Sequence, residues 1–218
     1  MPHRSPRRVL GTAAAALAAA AAAALLPAVP AAAASLPPGI PTESEARSRL
    51  DGLTVRPEGA SSPYDRSLFP HWEGVEGNCN AREYVLRRDG TGVETDGACR
   101  AVSGTWSSAY DGAGTTDPSD FDIDHMVPLA EAWRSGADTW SSAKRRSFAN
   151  NVEGPLLWAV SASSNRAKSD QDPSDWQPSR SAVHCAYAAS WIESKHRYAL
   201  TVDRDEKDAL RGMLDRAC

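Results

Sequence analysis

Phe121-Asp122-Ile123-Asp124-His125-Met126-Val127-Pro128 is the stretch that decides the reading of this chain. Side chains alternate across an extended strand, so Phe121 and Ile123 fall on one face and Asp122 and Asp124 on the other. The segment therefore reads as a short strand that presents acids on a single face and ends in Asp124-His125. Pro128 suits the first turn of a helix, which should run through Trp133 and stop at Gly136.

Downstream, Thr139 is expected to cap a helix over residues 140–149. Leu156-Leu157-Trp158-Ala159-Val160 is short and wholly apolar, as in a buried strand. Ser163 can cap a following helix that holds Asn165 and Lys168, within Ser164-Asn165-Arg166-Ala167-Lys168-Ser169-Asp170. The middle of the chain thus reads strand, insertion, strand, helix. Asp and Asn offer hard oxygen ligands suited to Mg²⁺. A His beside a metal can act as a general base near neutral pH. Together these are the parts needed to hydrolyse a phosphodiester.

On either side of this centre the sequence is mixed. Thr42-x-x-Glu45 is a capping box and predicts a helix from Glu43 to about Leu50. Residues 52–78 are rich in Gly, Pro and Ser and read as irregular. Asn80-x-x-Glu83 opens a second helix that buries Tyr84, Val85 and Leu86. Residues 91–110 predict one or two short strands, and residues 111–120 a loop. Val183, Tyr187 and Trp191 recur at helical spacing in a helix expected over residues 181–197, and Tyr198 follows directly after it. Asp203-x-x-Glu206 is a third capping box and opens a last helix. The fold class is α+β.

Residues 1–34 read as a cleaved signal peptide, with Arg4, Arg7 and Arg8 before an uncharged Ala/Leu run and small residues at 31–34. Residues 35–59 form a Pro/Gly-rich N-terminal segment with a short helix, and residues 60–218 the main domain. Without the three leader arginines, 21 Lys and Arg face 28 Asp and Glu, a net of −7. A strongly basic balance, which alone would signal nucleic acid, is absent. Any such site must rest on a local patch. No second apolar run follows, so no membrane contact is expected after cleavage.

Four cysteines on an export route imply disulfides. Of three pairings, Cys79–Cys99 with Cys185–Cys218 is favoured, because each bridge then closes a moderate loop within one half of the chain. Each is worth roughly 3 kcal/mol by loop entropy.

Asp124-His125-x-Val127-Pro128 followed by Asn165-Arg166-x-Lys168-Ser169-Asp170 resembles the HNH endonucleases, in particular the HNH domain of the RNA-guided CRISPR nucleases. Over residues 60–218 the chain is similar to secreted actinobacterial HNH proteins related to the C-terminal domain of Gmr-type modification-dependent restriction enzymes. Tyr64-Asp65-Arg66, Val85-Leu86-x-Arg88-Asp89, Phe148-Ala149-Asn150 and Asp172-Pro173-x-x-Trp176 carry that likeness.

The resemblance implies a ββα-metal (His-Me finger) core with added helices and strands, acting as a secreted endonuclease on nucleic acid, with DNA favoured. It implies His125 as general base and Asp124 and Asn165 as ligands of Mg²⁺, with Mn²⁺ or another divalent ion as alternatives. Asp122 would bind the ion through water or support it from behind. Lys168, Arg166 and Arg82 would grip phosphate. The middle Asn of the HNH pattern falls at Leu156, so its orienting role would pass to Asn150, Asn151 or the backbone. A monomer without a protein partner is expected. The rival readings are a metal phosphodiesterase for small substrates and a secreted binding module without catalysis.

Overall fold

The computed structural model describes Met1, His3 and residues 34–218. The chain divides into two units, Met1–Pro30 and Ala31–Cys218, and everything below concerns the second. The leader expected at residues 1–34 lies outside the described residues, apart from Met1, His3 and Ala34. No described helix is long and apolar enough to cross a membrane.

The first helix, α1 (Glu43–Gly52), starts as its capping box requires. Thr42 Oγ1 accepts the Glu45 N–H, and the Glu45 carboxylate accepts the Thr42 N–H at 2.9 Å. Ala46 and Leu50 are buried against the C-terminal helices α6 (His184–Tyr198) and α7 (Arg204–Ala217). The segment before residue 60 is thus packed into the helical half. Asp203 caps α7 through the Glu206 N–H at 2.9 Å. The Cys185–Cys218 disulfide ties the start of α6 to the end of α7.

Three small antiparallel sheets complete an α+β fold. Gly74–Glu76 (β1) pairs with Cys79–Asn80 (β2), a hairpin that lies partly in the stretch expected to be irregular. Asn80 then caps α2 (Ala81–Asp89). Thr91–Thr95 (β3) pairs with Ala101–Ser107 (β4), and Cys99 between them is bonded to Cys79. The loop expected over 111–120 contributes a third short strand, Gly114–Thr115 (β5), on the other edge of β4.

The last sheet joins Phe121–His125 (β6) to Leu157–Ser161 (β7), with Asp124 opposite Trp158 and His125 opposite Leu157. Between them lie α3 (Leu129–Arg134) and α4 (Ser142–Ala149). Two cores meet across this sheet. Phe121, Ile123, Leu157 and Ala159 pack with Val85 and Leu86 of α2. Trp158 and Val160 face the larger core, which holds Tyr110, Trp191 and Leu214. The period-two alternation of β6 therefore sends its apolar residues to α2 and its two aspartates to the opposite face.

A helix, α5 (Ala162–Lys168), follows β7 without a loop. Two caps differ from expectation. Ser161, not Ser163, accepts the Ser164 N–H that starts α5. Ser141, not Thr139, caps α4; the Thr139 hydroxyl is already donated to the Gly136 carbonyl in the preceding turn.

Candidate active site

The end of β6, the start of α3, α5 and the 66–68 turn surround a cleft of about 410 Å³. Arg66, Asp124, His125, Arg134, Asn165 and Asp170 are among its lining residues. Three residues singled out in the sequence, Asp124, His125 and Asn165, are thus gathered in one place from positions up to 41 residues apart. Extended β6 puts Asp122 and Asp124 on the face opposite Ile123, and α5, which begins where β7 ends, brings Asn165 against Asp122.

Asp124 is buried and both of its oxygens are engaged. Oδ2 accepts the Tyr110 hydroxyl at 2.6 Å, and Oδ1 lies 2.9 Å from Lys168 Nζ. Lys168 Nζ also donates to the His125 carbonyl at 3.0 Å. Burial pushes the Asp124 carboxyl up and the Lys168 ammonium down, and each partly holds the other in its charged form. Burial beside Asp124 also raises Tyr110 well above the ordinary phenol range, which keeps its hydroxyl a donor.

His125 is 4 % exposed. Its Nε2 lies 2.9 Å from the Ala149 carbonyl. A carbonyl can only accept, so Nε2 carries the proton and Nδ1 the lone pair. Burial is the main reason that the imidazole is pushed down to about 3; Arg66, His71 and Lys168 add to it, while the Ala149 bond opposes it. The ring also lies against Trp72, with centroids 5.5 Å apart.

Asn165 donates through Nδ2 to Asp122 Oδ2 at 3.2 Å. Its Oδ1 has no protein partner among the described residues. The donor set suits a hard divalent ion: the Asn165 amide oxygen is free, and each Asp124 oxygen keeps an accepting site beyond the bond it makes. A second group of acids, Glu58, Asp172 and Asp203, brings ligand atoms within 4.8 Å of one another. It sits in a neighbouring depression with no histidine among its lining residues, and Arg134 meets Glu58 there at 3.0 Å.

Several expected residues are placed elsewhere. Asn150 and Asn151 do not reach His125. The Asn150 amide bridges the Pro70 and Arg146 carbonyls and the Glu73 N–H; the Asn151 amide binds Tyr198 and the 153–154 turn. Their neighbour's carbonyl, at Ala149, holds the histidine instead, which is the backbone alternative that the sequence left open. Lys168, expected to grip phosphate, is fully buried and its charge is spent on Asp124. Arg82 donates to the Phe121 carbonyl, and Arg166 lines a shallow depression beside β5. Neither lines the cleft.

Two residues that support or line the site have no signal in the sequence. Tyr110 lies fourteen residues from Asp124, at the end of the stretch expected to form short strands. Arg66 stood in Tyr64-Asp65-Arg66 as part of a resemblance without a role. No spacing rule links either to the Asp-His pair.

A family model for the C-terminal domain of GmrSD restriction endonucleases matches residues 83–213. An "Uncharacterized secreted protein" of Arthroderma benhamiae is 52 % identical over 179 residues, covering 82 % of this chain and 88 % of the relative. No solved structure matches.

Proposed function

Because the chain belongs to the family of the C-terminal domain of GmrSD restriction endonucleases, we propose that its cleft is the active site of a metal-dependent HNH-type endonuclease that hydrolyses phosphodiester bonds in nucleic acid, DNA foremost. The protein is secreted: its fungal relative is a secreted protein, and all four cysteines are disulfide-bonded. The observation that carries the nuclease reading is the convergence of Asp124, His125 and Asn165 on one cleft, with His125 fixed as a neutral base.

In this reading β6, β7 and α5 form a ββα-metal unit. Asp124 and Asn165 would hold one Mg²⁺, with Asp122 orienting the Asn165 amide. Bound there, the ion would offset the charge that builds on the phosphate oxygens and on the leaving oxygen. His125 Nδ1 takes a proton from water as the water oxygen forms its bond to phosphorus. The bond from phosphorus to the leaving oxygen breaks, and that oxygen is protonated from solvent. The Ala149 carbonyl orients the ring and shares the positive charge that appears on it.

Supercoiled plasmid, single-stranded DNA, RNA and bis-p-nitrophenyl phosphate, assayed side by side with Mg²⁺, test this reading. Cleavage of internal bonds in the polymers supports it. Turnover of the small ester alone would make the protein a small-substrate phosphodiesterase. Binding of nucleic acid without turnover of any substrate would make it a binding module.

A further inference from the structure

Charge in the cleft is unevenly spent. Arg134 is ion-paired with three carboxylates, Glu58 and Glu131 at 3.0 Å and Asp170 at 2.8 Å. Lys168 is buried against Asp124. Arg66 differs from both. It stands on the exposed turn Arg66–Leu68, and among the described residues neither of its terminal nitrogens has a hydrogen-bond or ion-pair partner.

Its direction is nevertheless fixed. Arg66 Nε donates to His71 Nε2 at 3.3 Å, and His71 Nδ1 lies 2.7 Å from the Phe69 carbonyl. The carbonyl requires His71 to donate through Nδ1, and that leaves Nε2 as the acceptor that Arg66 needs. The two bonds specify one tautomer. Phe69 is fully buried, Asp65 caps the turn through the Ser67 N–H at 2.7 Å, and Arg145 Nε holds the Leu68 carbonyl at 2.9 Å. The His71 ring is 6.5 Å from that of His125. The turn therefore carries a guanidinium with both terminal nitrogens open, on a packed base, in the same cleft as the proposed base and ligands.

We propose that Arg66 is the residue that grips the phosphate being cleaved, and that His71 is the positioning residue that aims it. This rests on the nuclease reading above. A planar guanidinium with two open N–H edges matches two phosphate oxygens in a way that an ammonium does not. Its Nε is used for aiming, so the outer edge remains for the substrate. The local positive charge also answers the acidic balance of the chain: binding is confined to the cleft rather than spread over a basic surface.

The test compares wild type, His125→Ala, Arg66→Ala, Arg66→Lys, His71→Ala and the Arg66→Ala/His71→Ala double variant on a defined DNA duplex with Mg²⁺. Arg66→Ala should lower kcat by about 10²-fold, the usual cost of removing one preorganised donor to a transition-state oxygen. Its melting temperature should hardly move, because the side chain is exposed. Arg66→Lys should recover only part of the loss. His71→Ala should lower kcat by a smaller factor, and the double variant should be no slower than Arg66→Ala alone, since His71 acts only through Arg66. Wild-type rates in Arg66→Ala alongside an inactive His125→Ala would overturn the clamp and leave the nuclease reading standing. A loss in the double variant equal to the product of the two single losses would overturn the positioning role of His71. A wild type that cleaves nothing would instead remove the nuclease reading on which both depend.

Discussion

The Nε2 atom of His125 is held by the backbone carbonyl of Ala149 at 2.9 Å, in the turn that closes α4. That single bond sets the tautomer, the ring orientation and the nitrogen left to act as base. Burial and the neighbouring cations push this histidine down to about 3. Nitrogen-correlated NMR at about pH 5 should therefore show His125 still neutral and in the Nε2–H form, where an ordinary imidazole is mostly charged. The folded pKa lies below the unfolded one, so the neutral ring contributes stability above about pH 6.5 that is lost as pH falls toward 3. Full protonation of His125 at pH 5 would contradict the buried geometry.

Lys168 and Asp124 form an ion pair with almost no solvent contact. Lys168→Met would leave the Asp124 carboxylate buried with only the Tyr110 hydroxyl. Breaking a buried pair from one side costs about 3–5 kcal/mol, so the urea midpoint should fall accordingly. Adding Asp124→Leu to Lys168→Met should restore part of that loss. A single variant as stable as wild type would show that Lys168 is not buried in solution.

Tyr110 supports Asp124 from the larger core. Tyr110→Phe keeps the ring packing against Trp158 and Trp176 and removes one donor to a carboxylate. A hydrogen bond to a charged group is worth about 1.5–3 kcal/mol, and stability should fall by an amount in that range. If Asp124 holds the ion, half-saturation by Mg²⁺ should also shift, with kcat at saturating metal changed less. An unchanged metal titration would separate Tyr110 from the ion site.

The sheet that carries the site was legible because its physics is local. Alternation in Phe121-Asp122-Ile123-Asp124 shows which residues share a face, and the run of apolar residues at 156–160 shows its partner. Helix starts at Thr42, Asn80 and Asp203 follow from capping chemistry within four residues. The errors at Thr139 and Ser163 came from choosing between nearby hydroxyls, a choice made by turn hydrogen bonds that no pattern displays. Lys168 is expected at the phosphate because helical spacing does not reveal that α5 turns this side chain toward Asp124. Arg66 and Tyr110 reach the site through tertiary packing alone. The backbone carbonyl at Ala149 has no side-chain signature.

Lys195 lies between Glu131 at 2.8 Å and Glu206 at 2.6 Å, so two buried carboxylates share one ammonium. Burial pushes Glu206 up to about 7, with Lys195 opposing and Glu131 reinforcing the shift. A raised folded pKa means that the contribution of the protonated group is fully present below the unfolded value and is lost as pH rises through 7. Between about pH 5 and pH 8, wild-type stability should therefore decline relative to Glu206→Gln, read by thermal unfolding of both. Parallel profiles would show that Glu206 is ionised throughout.

We propose that this cleft hydrolyses phosphodiesters with His125 as base and a divalent ion at Asp124 and Asn165. Its most direct test is the initial rate of plasmid nicking by the purified secreted protein and by His125→Ala, each with Mg²⁺ and with EDTA. The wild type should nick with Mg²⁺ and stop in EDTA, and His125→Ala should be slower by about 10²–10⁴-fold, as expected for loss of a general base. EDTA-resistant nicking, or a His125→Ala variant as fast as wild type, would contradict it.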